Sequence, residues 1–263
     1  MVKMPRAVWS GSLSFGLVNI PVKAYVATKD RAISFKMLCG KCHTPLHYKR
    51  WCPKCEREVP WDEIERGYGV TKDHFVVFSK EELEGVQLKS AKTIDIERFV
   101  DGGAIDSLYL DKHYYLVPAE GGGRAYFLLH DVLALSNKVA VGKVIMRTKE
   151  HIVGIRSYRQ ALLMTTLRYP NEIVPLDTFE ELRSPVESRE KELELAKELI
   201  KSMSGNFEPE EYRDRYREAV MKLIKQKVEG VEVEVERVPE VERTRDLMKA
   251  LKASVQTVKK EKE

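Results

Sequence analysis

Long apolar runs are missing from this chain of 263 residues. None approaches the roughly 20 residues that a helix needs to cross a bilayer. The N-terminal MVKMPRAVWSGSLSFGLVNIPVK begins with positive charge, but serines, glycines and Asn19 break its apolar segment and no small-residue cleavage site follows. A cytoplasmic, nucleoid-associated location is therefore the expectation. Side-chain amides are scarce, with four Asn and four Gln against 33% charged residues. Charge networks tolerate heat better than amides do, so this balance leans toward a thermophilic source. Catalytic signatures are lacking too: there is no GxSxG, no HExxH, no P-loop and no lysine in an adenylation motif. Gly121–Gly123 lie in no phosphate-cradling pattern and read as a loop. The chain is not expected to be an enzyme. Cysteine is absent everywhere except residues 39–55, CGKCHTPLHYKRWCPKC, which hold all four.

That confinement is informative. Cys39-x2-Cys42 and Cys52-x2-Cys55 are two knuckles of the kind that bring four thiolates around one tetrahedral zinc ion. Gly40 and Pro53 supply turn geometry. Disulfides would suit a small secreted domain, and a thioredoxin-like site would need a single pair opening a helix after a strand. The spacing predicts one zinc per chain, held by Cys39, Cys42, Cys52 and Cys55. Four thiolates fill the shell, so His43 and His47 are bystanders and the ion is structural, with no open position for catalysis.

Positive charge gathers in the same quarter. Residues 1–60 carry 11 Lys/Arg against three Asp/Glu, whereas the remainder carries 34 against 38. A net charge of +4 thus conceals a basic N-terminal quarter, the footprint expected of a polyanion-binding surface.

Along the rest of the chain, LSFGLVNIPVKAYVA, HFVVF, KTIDIERFV, SLYLDKHYYLVP, KVAVGKVIMRT, HIVGIRSYR and ALLMTTLRY read as strands. Residues 125–136, AYFLLHDVLALS, read as a helix. Many short strands with few helices between them point to an antiparallel barrel or a sandwich. From residue 176 the texture turns helical. Leu193, Ala196, Leu199, Ile200 and Met203 recur at helical spacing before Gly205, and Pro209 is expected to open a second helix bearing Tyr212, Tyr216, Ala219, Val220, Leu223 and Ile224. VEVEVERV after Gly230 reads as a spacer or edge strand, Leu247, Leu251 and Val255 as a last short helix, and KKEKE as a frayed end. The expected division is 1–175 for the β core and its arm, 176–230 for the helical region and 231–263 for linker, terminal helix and tail.

RAVWSGSLSFGLVNIPVKAY at 6–25, KELELAKELIKSMSGNFEPEEYRDRYREAV at 191–220 and DLMKALKASV at 246–255 closely resemble the prokaryotic Ku family. The similarity runs from about residue 6 to residue 256. The resemblance implies a mainly β fold: a β-barrel core, a bridge arm and a helical C-terminal region. It also implies a ring-shaped homodimer that threads onto double-stranded DNA ends in non-homologous end joining. It further implies no enzymatic activity, and recruitment of a multifunctional ATP-dependent repair ligase. The cysteine module falls where the family has its bridge over DNA, and many bacterial members lack these cysteines. A thin arm has little core of its own, so a zinc knuckle would stiffen it.

Sequence-independent binding needs phosphate contacts rather than base readout. Candidate DNA-facing residues are Lys36, Lys41, Lys49, Arg50, Lys54 and Arg57 in the arm, with Lys138, Lys143, Arg147 and Arg156 from the barrel strands. Tyr48 and Trp51 are expected to pack rather than stack on bases. Tyr109, Tyr114 and Tyr115 are assigned to the core in preference to a dimer contact. Leu247, Met248 and Leu251 are the candidate ligase-facing residues. Two rival readings are a zinc-ribbon nucleic-acid-binding factor in transcription or RNA processing, and an enzyme with an unrecognised site.

Overall fold

The structure is a computed structural model that describes residues 5–72, 74–85, 92–147, 149–184, 187, 189–230, 250–251 and 253–257. It divides into two compact units, Met1–Val174 and Pro175–Glu263.

In the first unit, β1 (Trp9–Phe15) and β2 (Val18–Val26) form a hairpin turned by Gly16 at φ 58°. Residues 27–92 make the arm. It holds the two-residue strands β3 (Trp51–Cys52) and β4 (Arg57–Glu58), the hairpin β5 (Arg66–Thr71) and β6 (His74–Phe78), and the short helix α1 (Lys80–Gly85). The chain then returns to the sheet with β7 (Thr93–Asp101) and β8 (Leu110–Pro118). Helix α2 (Gly123–Ser136) follows, then β9 (Lys138–Met146), β10 (Lys149–Tyr158) and β11 (Ala161–Leu167).

Seven strands close in the order β1-β2-β8-β11-β10-β9-β7, which decides for a barrel over a sandwich. The expectation of a wholly antiparallel barrel needs one correction: β1 and β7 pair in parallel, Ser12 opposite Thr93. Strand direction cannot alternate all the way round an odd-numbered ring, so one parallel seam must appear.

Alternation along the strands fills the interior. Leu13, Ile20, Val22, Ile94, Leu116, Val144, Ile155 and Met164 are all buried in one cluster. Helix α2 lies across one mouth. Its Tyr126 hydroxyl donates to the Leu116 carbonyl at 2.7 Å and accepts from the Leu162 amide at 2.8 Å. Asn137, left-handed at φ 49°, ends the helix, as Asn can at a C-terminus.

The second unit carries α3 (Glu190–Met203) and α4 (Arg215–Val228), neither of which contributes a buried residue. The Glu192 carboxylate closes the start of α3 by accepting from the Arg189 amide at 3.2 Å. Helix α4 begins at Arg215 rather than Pro209. Pro209–Glu211 form only a 3-10 turn, and the Asp214 carboxylate caps the helix by accepting from the Arg217 amide at 2.9 Å. Tyr212 is consequently outside the helix.

Candidate metal centre and cation-rich arm

Between Ala27 and Lys92 no described residue is buried. The arm therefore relies on local hydrogen bonding, and the two cysteine knuckles repeat one pattern at an interval of thirteen residues, CGKCHT and CPKCER. Leu38 bridges Pro45 as Trp51 pairs with Glu58. The Cys39 amide donates to the Thr44 carbonyl at 2.9 Å, matching the Cys52–Arg57 pairing of the second knuckle. The residue after each second cysteine is left-handed, His43 at φ 55° and Glu56 at φ 49°. That backbone turns amides toward the sulfurs.

Those donors act on the thiols. The Thr44 hydroxyl and amide, with the Cys39 thiol, bring Cys42 down to about 7. The Cys55 amide and thiol, together with the Lys54 amide, lower Cys52, and the same thiol contact raises Cys55. Each knuckle thus has one thiol shifted downward with the other thiol beside it. Among the described residues no group of three or more His, Cys, Asp or Glu lies close enough to hold one ion. In donor type the residues suit zinc; in placement the structure has two half-sites rather than one four-sulfur centre.

The ten candidate cations divide by partner. Lys49 pairs with Glu58 at 3.1 Å, Arg57 with Glu63, Lys138 with Asp101 at 2.6 Å and Lys143 with Glu97 at 3.5 Å. Arg50 donates to the Val59 carbonyl at 3.2 Å and lies over the Trp61 ring at 4.2 Å, while Arg156 lies 5.5 Å over Tyr158. Lys36, Lys41, Lys54 and Arg147 have no carboxylate partner among the described residues, and all four are exposed. Alternation places Lys143 and Arg156 on the outer face of the barrel, while Lys138 opens β9 and Arg147 follows its last residue. The ten do not form one continuous face.

Tyr48 and Trp51, expected to pack, are 84% and 60% exposed in the single chain. Of the three core tyrosines, Tyr114 packs against the barrel cluster, whereas Tyr115 stacks on Tyr158 with ring centroids 6.3 Å apart. Leu251 is half-buried, and Leu247 and Met248 lie outside the described residues.

One constellation escaped the sequence reading. Ser157 Oγ is 3.0 Å from His130 Nε2, and His130 Nδ1 is 2.9 Å from Asp131, which imitates a hydrolase triad. The same Nε2 faces the Arg159 carbonyl at 2.9 Å. A carbonyl only accepts, so Nε2 carries the hydrogen and has no lone pair with which to activate Ser157. The sequence gives no signal for it, because strand pairing and α2 bring the residues together.

The structure thus defines a closed seven-stranded β-barrel carrying an inserted arm rich in cysteines and exposed cations. The family described as "Ku: Ku70/Ku80 beta-barrel domain" matches residues 14–195. Over 252 residues the chain is 40% identical to the non-homologous end joining protein Ku of Symbiobacterium thermophilum, covering 95% of this chain and 62% of that protein. It is also 40% identical to the proteins of the same name from Heliobacterium modesticaldum, over 97% of this chain and 92% of that one, and from Archaeoglobus fulgidus, over 97% and 100%. The chain belongs to the Ku family. No described helix is long and apolar enough to cross a membrane.

Proposed function

We propose that this chain binds the ends of double-stranded DNA without reading their sequence, as a ring-shaped homodimer, in non-homologous end joining. The observation that carries this reading is the arm. It is a cation-bearing segment with no buried residue among those described, inserted between β2 and β7 of a closed barrel. A segment that buries nothing in its own chain is suited to lie against something else. Lys36, Lys41 and Lys54, with no carboxylate partner among the described residues, offer phosphate contacts that carry no sequence information. Two copies encircling a duplex would admit DNA only by its terminus, so topology would discriminate a broken helix from a closed one.

In this reading the arm holds one structural zinc through Cys39, Cys42, Cys52 and Cys55. The ion would tie the two half-sites together and supply the rigidity that a core supplies elsewhere. The chain holds ends and does no chemistry on them. A multifunctional ATP-dependent repair ligase is recruited through the C-terminal region, with Leu247, Met248 and Leu251 as its contact. The test is a gel shift of linear and covalently closed duplex at two salt concentrations. Linear DNA is expected to be retained and circles released; equal retention of both would end the ring reading.

A further inference from the structure

We propose that the barrel mouth opposite α2 is a binding site for a phosphomonoester dianion, gripped by Lys112 and Arg147. Six strands terminate around this mouth and enclose a cavity of about 370 Å³. Barrel mouths are a common place for small-ligand sites, and those sites combine apolar walls with a few convergent polar groups. Here Val26 and Met146 supply wall, and the polar groups follow from register.

Tyr114 and Leu116 share the inward face of β8 with Lys112, and Val153 and Ile155 share that of β10 with His151. An inward position normally takes an apolar side chain, as its neighbours two and four residues on do. Lys112 instead places an ammonium at the rim, with no carboxylate pairing among the described residues. Its backbone is pinned, the amide donating to Thr166 Oγ1 at 3.0 Å. Arg147 comes from the β9–β10 turn in a left-handed conformation, φ 61°, and it too lacks a carboxylate partner. Its charge acts on the Tyr114 phenol, as that of Lys112 acts on the His151 imidazole, so the four groups share one space.

One carboxylate, Asp111, also borders the cavity. Arg168 pairs with it at 3.1 Å, and the Thr166 hydroxyl is 3.5 Å from its other oxygen, while its charge still reaches Tyr114 and His151. The two remaining fixed cations match a dianion; a single carboxylate ligand would leave one of them unanswered. Arginine's fork and lysine's point charge together suit phosphate oxygens. Two sources offer this chemistry: a small free phosphomonoester, or the 5′-phosphate at a DNA terminus.

The test uses the full chain in two arms. One is calorimetric titration with inorganic phosphate and with glycerol 3-phosphate; the other is competition between duplexes with 5′-phosphate and 5′-hydroxyl ends. Saturable binding of a small probe, weakened at least about tenfold by Lys112→Gln and by Arg147→Asn, supports the free-ligand source. Asn is chosen because it tolerates the left-handed backbone. A preference of at least about tenfold for 5′-phosphate ends that both variants erase supports the terminal source. No saturable binding together with no end preference, or binding that both variants leave unchanged, overturns the proposal. Should one variant misfold, as its thermal transition would reveal, the other variant set against the unaltered chain in both arms still decides. That arm uses no DNA, so its failure is separable from failure of the end-binding reading.

Discussion

At the scale of single residues the titrations of Cys42 and His151 make opposite kinds of statement. Cys42 is an exposed thiol brought to about 7 by donated hydrogen bonds, so a large thiolate fraction exists at neutral pH in the metal-free chain. Its alkylation by iodoacetamide is expected to reach half its limiting rate near pH 7, with Cys55 reacting far more slowly. One equivalent of zinc should then protect all four cysteines together. Mass-mapped labelling checks both points, and protection of only one pair would deny the four-sulfur site. His151 behaves differently, because burial is the first cause that lowers its imidazole, with Lys112 and Lys149 adding to it against Asp111 and Glu172. The unfolded chain then binds the proton more readily than the folded one. The contribution to stability is whole above the ordinary value of 6.5 and declines as pH falls toward the depressed folded value. Comparing unfolding midpoints of wild type and His151→Gln from pH 5 to 8 isolates it: the gap between the two should change with pH below 6.5 and be constant above.

Among the elements, β9 packs with little room to spare. A Cβ on Gly142 would sit 2.1 Å from the Asp95 carbonyl oxygen and 2.9 Å from the Ile96 Cα, both backbone atoms beside the bulge of β7. Gly142→Ala is expected to cost about 2 kcal/mol in denaturant unfolding, since neither atom can swing aside. Gly103→Ala, which meets nothing within 4 Å, should be nearly silent. A silent Gly142→Ala would mean the β7–β9 pairing is looser than described. The same elements show what periodicity can reveal. KVAVGKVIM and ALLMTTL announce their strands through β-branched and apolar content, and AYFLLHDVLALS announces α2. Barrel closure was not legible from pattern, because it depends on pairing β1 with β7 and β2 with β8 across long sequence intervals. The start of α4 was misplaced since Pro209 is a plausible first helical residue, and only the Asp214 cap reveals the true beginning. The two knuckles were legible as paired turns from their spacing, but their left-handed His43 and Glu56 were not, because neither residue is the glycine that usually marks such a turn.

For the whole molecule, charge pairing decides which cations can serve a polyanion. The surplus of positive charge in residues 1–60 is a property of composition, and the structure reduces it: Lys49 and Arg57 already have carboxylate partners on the arm itself. A paired cation must give up its partner before it can meet a phosphate, whereas Lys36, Lys41 and Lys54 have no carboxylate partner among the described residues to give up. If the arm lies against DNA, each phosphate neutralised contributes about 0.9 to the slope of log affinity against log salt. Replacing Lys36, Lys41 and Lys54 together by Gln should therefore flatten that slope by about 2 to 3 for linear duplex. Replacing Lys49 and Arg57 should flatten it by less per residue, because cations held by Glu58 and Glu63 neutralise fewer phosphates. Fluorescence anisotropy of one end-labelled duplex across a salt series measures both slopes. An unchanged slope in the triple variant would remove the arm from the DNA interface, while equal effects per residue would mean the ion pairs do not survive binding.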